Sequence, residues 1–284
     1  MKIETFETLY RSGTRDFSHW DLSHQKAGWV NMSYTNLTGA DLSHSQFCSA
    51  LLQGATLIEA NLEEITLRAA DLRRTDLSHA NLRRADLSRA DLIETNLRSA
   101  NLEQANLTEV IFSQVILADA NLSHANLQGL NLSGINLAGA NLQGANIAGV
   151  VFHNANLSRA NLSGLDLSHT DLSGANLSYA DLSHTQLTEA ILYGANLTGA
   201  ILTSAQLDGA KMNGSLLDGA DLSQANLQDA DVKWVDLTNA NLKNTDCVGT
   251  CWKLSNLSQA NLIDANLYES DLKEALIAKH NHVQ

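Results

Sequence analysis

The chain has no proline in its 284 residues, so no pyrrolidine ring kinks it or removes a donor from a backbone ladder. Aromatic residues make up only 5 %, which leaves leucine and alanine to build a core. The 3 cysteines (Cys48, Cys247 and Cys251) have neither paired spacing nor a CxxC motif. That excludes a disulfide framework and a zinc ribbon, and it fits a reducing cytosol. Cations are scarce: 18 Lys and Arg stand against 31 Asp and Glu, a formal net charge of −13. Such a balance weighs against nonspecific contact with nucleic acid or an anionic membrane. No run approaches the ~18 apolar residues of a membrane span. The opening Met1-Lys2-Ile3-Glu4-Thr5-Phe6 lacks a charged-then-apolar leader pattern. The expectation is a soluble, cytoplasmic protein that neither enters a membrane nor binds nucleic acid directly.

What is present is a five-residue register that runs without a slip from Arg15 to Leu272. Its centres fall at every residue number ending in 2 or 7, giving 52 consecutive pentapeptides. The centre is Leu in 41 of them, and the residue before it is Asp or Asn in 37. Ala usually precedes that pair, as in Ala80-Asn81-Leu82-Arg83-Arg84 and Ala220-Asp221-Leu222-Ser223-Gln224. An uninterrupted array of this kind is one repeat architecture with little room for an enzyme active site.

Period five fits neither a helix at 3.6 nor a strand at 2. The conflict disappears if each pentapeptide is a short extended face followed by a corner. Ala80 and Leu82 then point to the same side, the chain turns across Arg83 and Arg84, and Ala85 and Leu87 point inward again. Of the 17 glycines, 15 occupy the last position, at the corner, where a permissive φ is useful. A weaker period of 20 sorts the centres into four columns. The column from Leu22 is Leu in all 13 places, whereas the column from Met32 collects Phe112, Phe152, Met212, Val232 and Trp252. Four unequal columns predict four faces per coil and 13 coils.

The pattern A(D/N)Lxx, held over about nine-tenths of the chain, closely resembles the pentapeptide-repeat family. The resemblance implies an all-β fold, a right-handed quadrilateral parallel β-helix, in a protein that acts as a binding or mimicry scaffold without catalysis. An open stack needs capped ends. Residues 1–14 are read as an N-terminal helical cap, with Ile3, Phe6, Leu9 and Tyr10 on one face and Gly13 as its stop. Residues 15–272 are the β-helix. Residues 273–284 are a C-terminal cap or tail, in which Ala275, Leu276 and Ile277 lead into His280-Asn281-His282.

Function is expected where outward positions depart from the repeat. On the Met32 column the pre-centre residue becomes Leu51, Ile111, Val151, Ile191 and Cys251, and Ile116, Ile201 and Leu216 add exceptions on other columns. Nearby corners hold Ile93, Tyr193, Trp234 and Leu254. The candidate partner-binding set is Leu51, Ile111, Val151, Ile191, Tyr193 and Trp234, an apolar stripe suited to a partner or to a second copy of the chain. Scattered apolar residues that merely favour β structure are the bland alternative. A belt of arginines (Arg68, Arg73, Arg74, Arg83, Arg84, Arg89 and Arg98) shares its coils with acidic residues. It reads as a salt-bridged surface ahead of a docking site for an acidic partner, for which Arg73, Arg74, Arg83 and Arg84 are the candidates. Between Asp119 and Arg159 no residue is charged, which reads as unembellished repeat.

His24 and His44 are expected one above the other, but no Cys or carboxylate cluster completes a metal site. Ser and Asp residues are plentiful, yet none forms a nucleophile–base constellation, and no phosphate-binding glycine loop is present. No catalytic, cofactor or metal residue is therefore assigned. The reading is a non-catalytic scaffold that binds another protein of unknown identity along its side, with self-association open. The long loop-free array resembles cyanobacterial pentapeptide proteins of the HetL type, which regulate cell differentiation. A DNA mimic that binds DNA gyrase, as Qnr-type members do, is the alternative, and a purely structural solenoid is the third.

Overall fold

The computed structural model describes residues 2–277, in two compact units: Met1–Asn131 with Ile135–Val150, and Leu132–Gly134 with Val151–Gln284. The expected His280-Asn281-His282 tail lies outside the described residues. The first unit opens with one helix, α1 (Ile3–Arg11), whose apolar spacing aims Ile3 and Phe6 inward. Leu9 and Tyr10, expected on the same face, are only half-buried. The Phe6 ring meets Phe17 at 4.3 Å between centroids, and Phe17 meets Trp20 edge-on at 4.9 Å. Tyr10 donates to Asn31 Oδ1 (3.1 Å) and Arg15 stacks on its ring at 3.9 Å, so the helix covers the first coil. Gly13, at φ 102, takes the chain out of the helix.

Beyond the helix the sequence period becomes geometry. In the first unit Asp21 bridges Asp41, Asp41 bridges Asn61, and Asn61 bridges Asn81, each in parallel and twenty residues on. In the second, Asn176 bridges Asn196, Asn196 bridges Leu216, and Leu216 bridges Asp236 in the same way. Four pentapeptides thus make one coil in each unit. The backbone is bridged but hardly stranded. Among the described residues only β1 (Asn256–Leu257) and β2 (Leu276–Ile277) are longer than a single bridged position. Each face offers one pairing residue before the corner turns the chain away. The β1–β2 register, Asn256 opposite Leu276, carries the twenty-residue step past Leu272.

Corners follow one recipe. Arg83 and Arg84 form a turn closed by the Ala85 N–H donating to the Leu82 carbonyl at 3.0 Å. Arg84 sits at φ 57. The left-handed conformation is shared by 37 non-glycine residues and 15 glycines, so every corner from His19 to Glu274 adopts it. A left-handed non-glycine residue costs about 1 kcal/mol or more, and the turn bond together with N–H donation to the next coil holds it there. Glycine eases the corner but is not required for it.

The interior is laminated. Leu62, Leu82, Leu102 and Leu122 are fully buried, and each inward Leu contributes on the order of 1.5–3 kcal/mol. Inward Ala keeps the coil narrow, and where Thr replaces it the hydroxyl finds a carbonyl: Thr75 Oγ1 donates to Leu52 O at 2.9 Å. Cys247 occupies a centre position, and burial pushes its thiol up to about 12, so it behaves as one more small apolar side chain. Phe112 differs from the other aromatic centre residues, Phe17, Phe47, Phe152 and Trp252, in being only half-buried.

Candidate interaction surface

The outward pre-centre residue has a structural task. Asn81 Oδ1 accepts the N–H of Arg83 two residues on (3.3 Å), and Asn81 Nδ2 donates to Asn61 Oδ1 on the preceding coil (3.1 Å). The pattern recurs at Asn61 on Asp41, and at Asn121 on Asn101. Asp or Asn is therefore selected by the corner, because its short oxygen satisfies a turn donor that would otherwise face water.

An apolar residue at this position gives up both bonds. Leu51 is 40 % exposed, Ile111 53 %, Ile201 44 % and Leu216 48 %. Val151 and Ile191 are half-buried. At the corners Tyr193 is 43 % exposed and Trp234 61 %. The proposed stripe thus falls into two sets: Leu51 and Ile111 belong to the first unit, and Val151, Ile191, Tyr193 and Trp234 to the second. Several exposed side chains were missed, among them Trp29, Tyr34 and Tyr179. The register would have found them, since they sit at residue numbers ending in 4 or 9, where every side chain points out. Tyr34 lies over Gly54 and Tyr179 over Gly199, each ring resting on the bare corner of the next coil.

The arginine belt is paired within and between coils of the first unit. Arg73 reaches Asp71 at 2.6 Å, Arg74 reaches Glu94 at 2.9 Å, Arg84 reaches Glu64 at 3.2 Å and Arg83 reaches Glu103 at 3.4 Å. The Arg73 hydrogen bond holds the Asp71 carboxyl below its ordinary value, and that of Arg84 does the same for Glu64. Candidate arginines already paired in this way present less free charge to a partner, and Arg68 is the one member that makes no ion pair among the described residues. The His24 and His44 rings stack at 4.9 Å and 7°, with His44 Nδ1 3.2 Å from Glu64. Among the described residues no group of three or more His, Cys, Asp or Glu is placed to hold a metal ion. No helix among them is long and apolar enough to cross a membrane.

The sequence profile described as pentapeptide repeats matches 8 copies in overlapping segments that run from residues 31–68 to residues 240–276. The chain belongs to the pentapeptide-repeat family. Members of this family fold as right-handed β-helices and are generally structural or interaction scaffolds rather than enzymes. Among solved structures the chain is similar to HetL, a pentapeptide repeat protein involved in heterocyst differentiation regulation in the cyanobacterium Nostoc sp. strain PCC 7120. Identity is 29 % over 98 % of each chain, with a TM-score of 0.27. A pentapeptide repeat protein of the Arabidopsis thaliana thylakoid lumen is 30 % identical over 37 % of this chain and 69 % of its own, with a TM-score of 0.21. Full-length QnrB1, a plasmid-mediated fluoroquinolone resistance protein, is 17 % identical over 90 % and 94 %, with a TM-score of 0.24. No curated protein matches the chain significantly.

Proposed function

We infer that this pentapeptide-repeat chain is a non-catalytic scaffold that binds a partner protein through outward apolar residues on its coils. The observation that supports it most is the exchange made at Leu51, Ile111, Ile201 and Leu216. Each replaces an Asp or Asn whose turn hydrogen bond contributes about 0.5–1.5 kcal/mol with an exposed apolar side chain. A position that gives up local stability to expose a large aliphatic group is fitted for contact. In its finer form the reading is a cytoplasmic regulator, of the kind HetL is in cell differentiation, on a right-handed quadrilateral helix of 13 coils at four pentapeptides per coil. The test is affinity capture from the native organism with Ile111→Asp/Val151→Asp beside the unaltered chain. The variant should melt no lower than the unaltered chain, because Asp also accepts the turn N–H, and should retain the captured partner at least ~10-fold less well. Lost stability with unchanged capture would make these positions structural.

One observation favours a second reading, imitation of DNA toward gyrase. In the second unit one face carries Asp166, Asp208 and Asp246, with Glu189, Asp229 and Glu269 at its corners and no Lys or Arg. The paired arginines of the first unit oppose an unbroken negative track. Gyrase supercoiling with and without a quinolone should therefore be little affected by the purified chain. Strong inhibition or protection at micromolar protein would put this reading first.

A further inference from the structure

One edge of the second unit is self-complementary. Gly194, Gly214, Trp234 and Leu254 occupy the same corner on four successive coils. The two glycines are bare: a Cβ added to either would meet no atom within 4 Å. The next two carry large exposed side chains, Trp234 at 61 % and Leu254 at 48 %. Two open steps followed by two protruding ones form a pattern that its own reversed copy fills.

The adjoining face obeys the same symmetry. Its bridged ladder reads Ile191, Lys211, Asp231, Cys251. Lys211 is exposed and pairs with no carboxylate among the described residues. Asp231 is half-buried, its Oδ2 bonded by Asn213 (2.9 Å) and Lys233 (3.1 Å) and its Oδ1 buried without a partner. A twofold axis lying in the contact plane and crossing the stack midway between Lys211 and Asp231 reverses the order of coils but keeps each column opposite itself. It sets Trp234 against the partner's Gly214 and Leu254 against the partner's Gly194. It also sets Lys211 against the partner's Asp231, and Tyr193 beside the partner's Lys253, a cation–π pairing. Every match occurs twice.

We propose that this edge and face of the second unit form the interface of an antiparallel twofold dimer, the occupant being a second copy of the chain. Shape argues for a like partner, because bare and bulky steps occur in equal number and reversed order. Charge adds a weaker argument: exposed Lys211 and half-buried Asp231, which already pairs with Lys233, lie on adjacent rungs, about 4.8 Å apart along the stack, equidistant from the axis. An isologous contact of this type closes on itself and does not propagate into fibres. The proposal rests on the scaffold reading and names the partner of its second-unit residues.

Sedimentation equilibrium of the full chain between about 1 and 100 µM tests it. The chain should dimerise in that range. Gly194→Gln/Gly214→Gln fills the open steps with a residue already accepted at the left-handed corners Gln104, Gln114 and Gln224. It should lower the melting temperature by no more than ~5 °C, the cost of two left-handed non-glycine corners, while weakening the dimer at least ~10-fold. Trp234→Gln should do the same from the protruding side. A chain that stays monomeric at the highest concentration, or a dimer that ignores both variants, overturns the proposal. If the monomeric chain still captures a different protein and loses it with Ile111→Asp/Val151→Asp, the dimer falls and the scaffold reading stands.

Discussion

The coils from Glu63 to Asp119 in the first unit and those from Ile191 to Leu254 in the second share a backbone but not a surface. In the first, outward positions carry Arg, Glu and Asp that pair across one coil, as Arg74 does with Glu94 and Arg83 with Glu103. In the second, the same positions carry bare glycines, exposed Tyr193, Trp234 and Leu254, and the unpaired Lys211. The corner conformation is equal in both: Arg84 and Trp234 lie at φ 57 and 55. The comparison teaches that the coil tolerates nearly any outward side chain, because the corner bond and the inward leucine fix the backbone. The paired surface is self-satisfied, and the apolar one is left to be covered from outside.

The largest effect should come from breaching the feature the two regions share. Leu122→Asp buries a charge with no partner in a fully buried site and should abolish folding. Ser123→Asp, one residue on and facing out, should melt within ~2 °C of the unaltered chain. Equal melting of the two variants, read by circular dichroism, would erase the inward–outward distinction on which the comparison depends.

Acid should act next, and on both regions. Asp71 and Glu64 in the first unit, and Asp166, Asp171 and Asp271 in the second, are all held below their ordinary values, by Arg, Ser or Lys hydrogen bonds. In the unfolded chain these carboxyls bind protons at higher pH than in the folded one. Their stabilisation is thus complete above the ordinary values, 3.8 for Asp and 4.5 for Glu, and is lost as pH falls through the lowered folded values. Melting temperature followed from pH 6 downward should be flat until about pH 4–5 and then fall. A fall that begins near pH 6.5 would show that these carboxyls do not govern the acid response.

Removing a single belt pair should do least. Arg74→Ala breaks an exposed contact with Glu94 and should lower the melting temperature by under ~2 °C, with the difference vanishing at high salt. A larger, salt-independent loss would mean that the arginine stem packs on the coil, and would narrow the contrast between the two regions.

Much of this fold was legible because its period is so strict. Leu82, Arg83 and Arg84 alone specify one inward residue and one corner, and the Asp16–Asn36 bridge shows the twenty-residue coil that the column pattern implied. The near absence of strands was not foreseen, since five residues less a two-residue corner leave one pairing position per face. Left-handed arginine, histidine and tryptophan at the corners were also not legible, because propensity assigns that conformation to glycine. Here the neighbouring coils override it. The surface was half legible. Leu51 and Ile111 stood out as breaks in the Asp/Asn column, whereas Trp29, Tyr34 and Tyr179 escaped because the corner column is variable and no single residue breaks it. The self-matching order of Gly194, Gly214, Trp234 and Leu254 emerged only once the corners were known to align and the glycines to be open.

The central claim is that outward apolar residues were placed for contact at the expense of the corner hydrogen bond. The melting temperature of Leu51→Asn/Ile111→Asn/Ile191→Asn/Ile201→Asn tests it most directly. Each Asn restores the oxygen that accepts the turn N–H two residues on, as Asn81 does for Arg83. At roughly 0.5–1 kcal/mol per restored bond and near-additivity between distant coils, the variant should melt on the order of 5 °C higher. A melting temperature below that of the unaltered chain would show that these side chains stabilise the coil, and would contradict the claim.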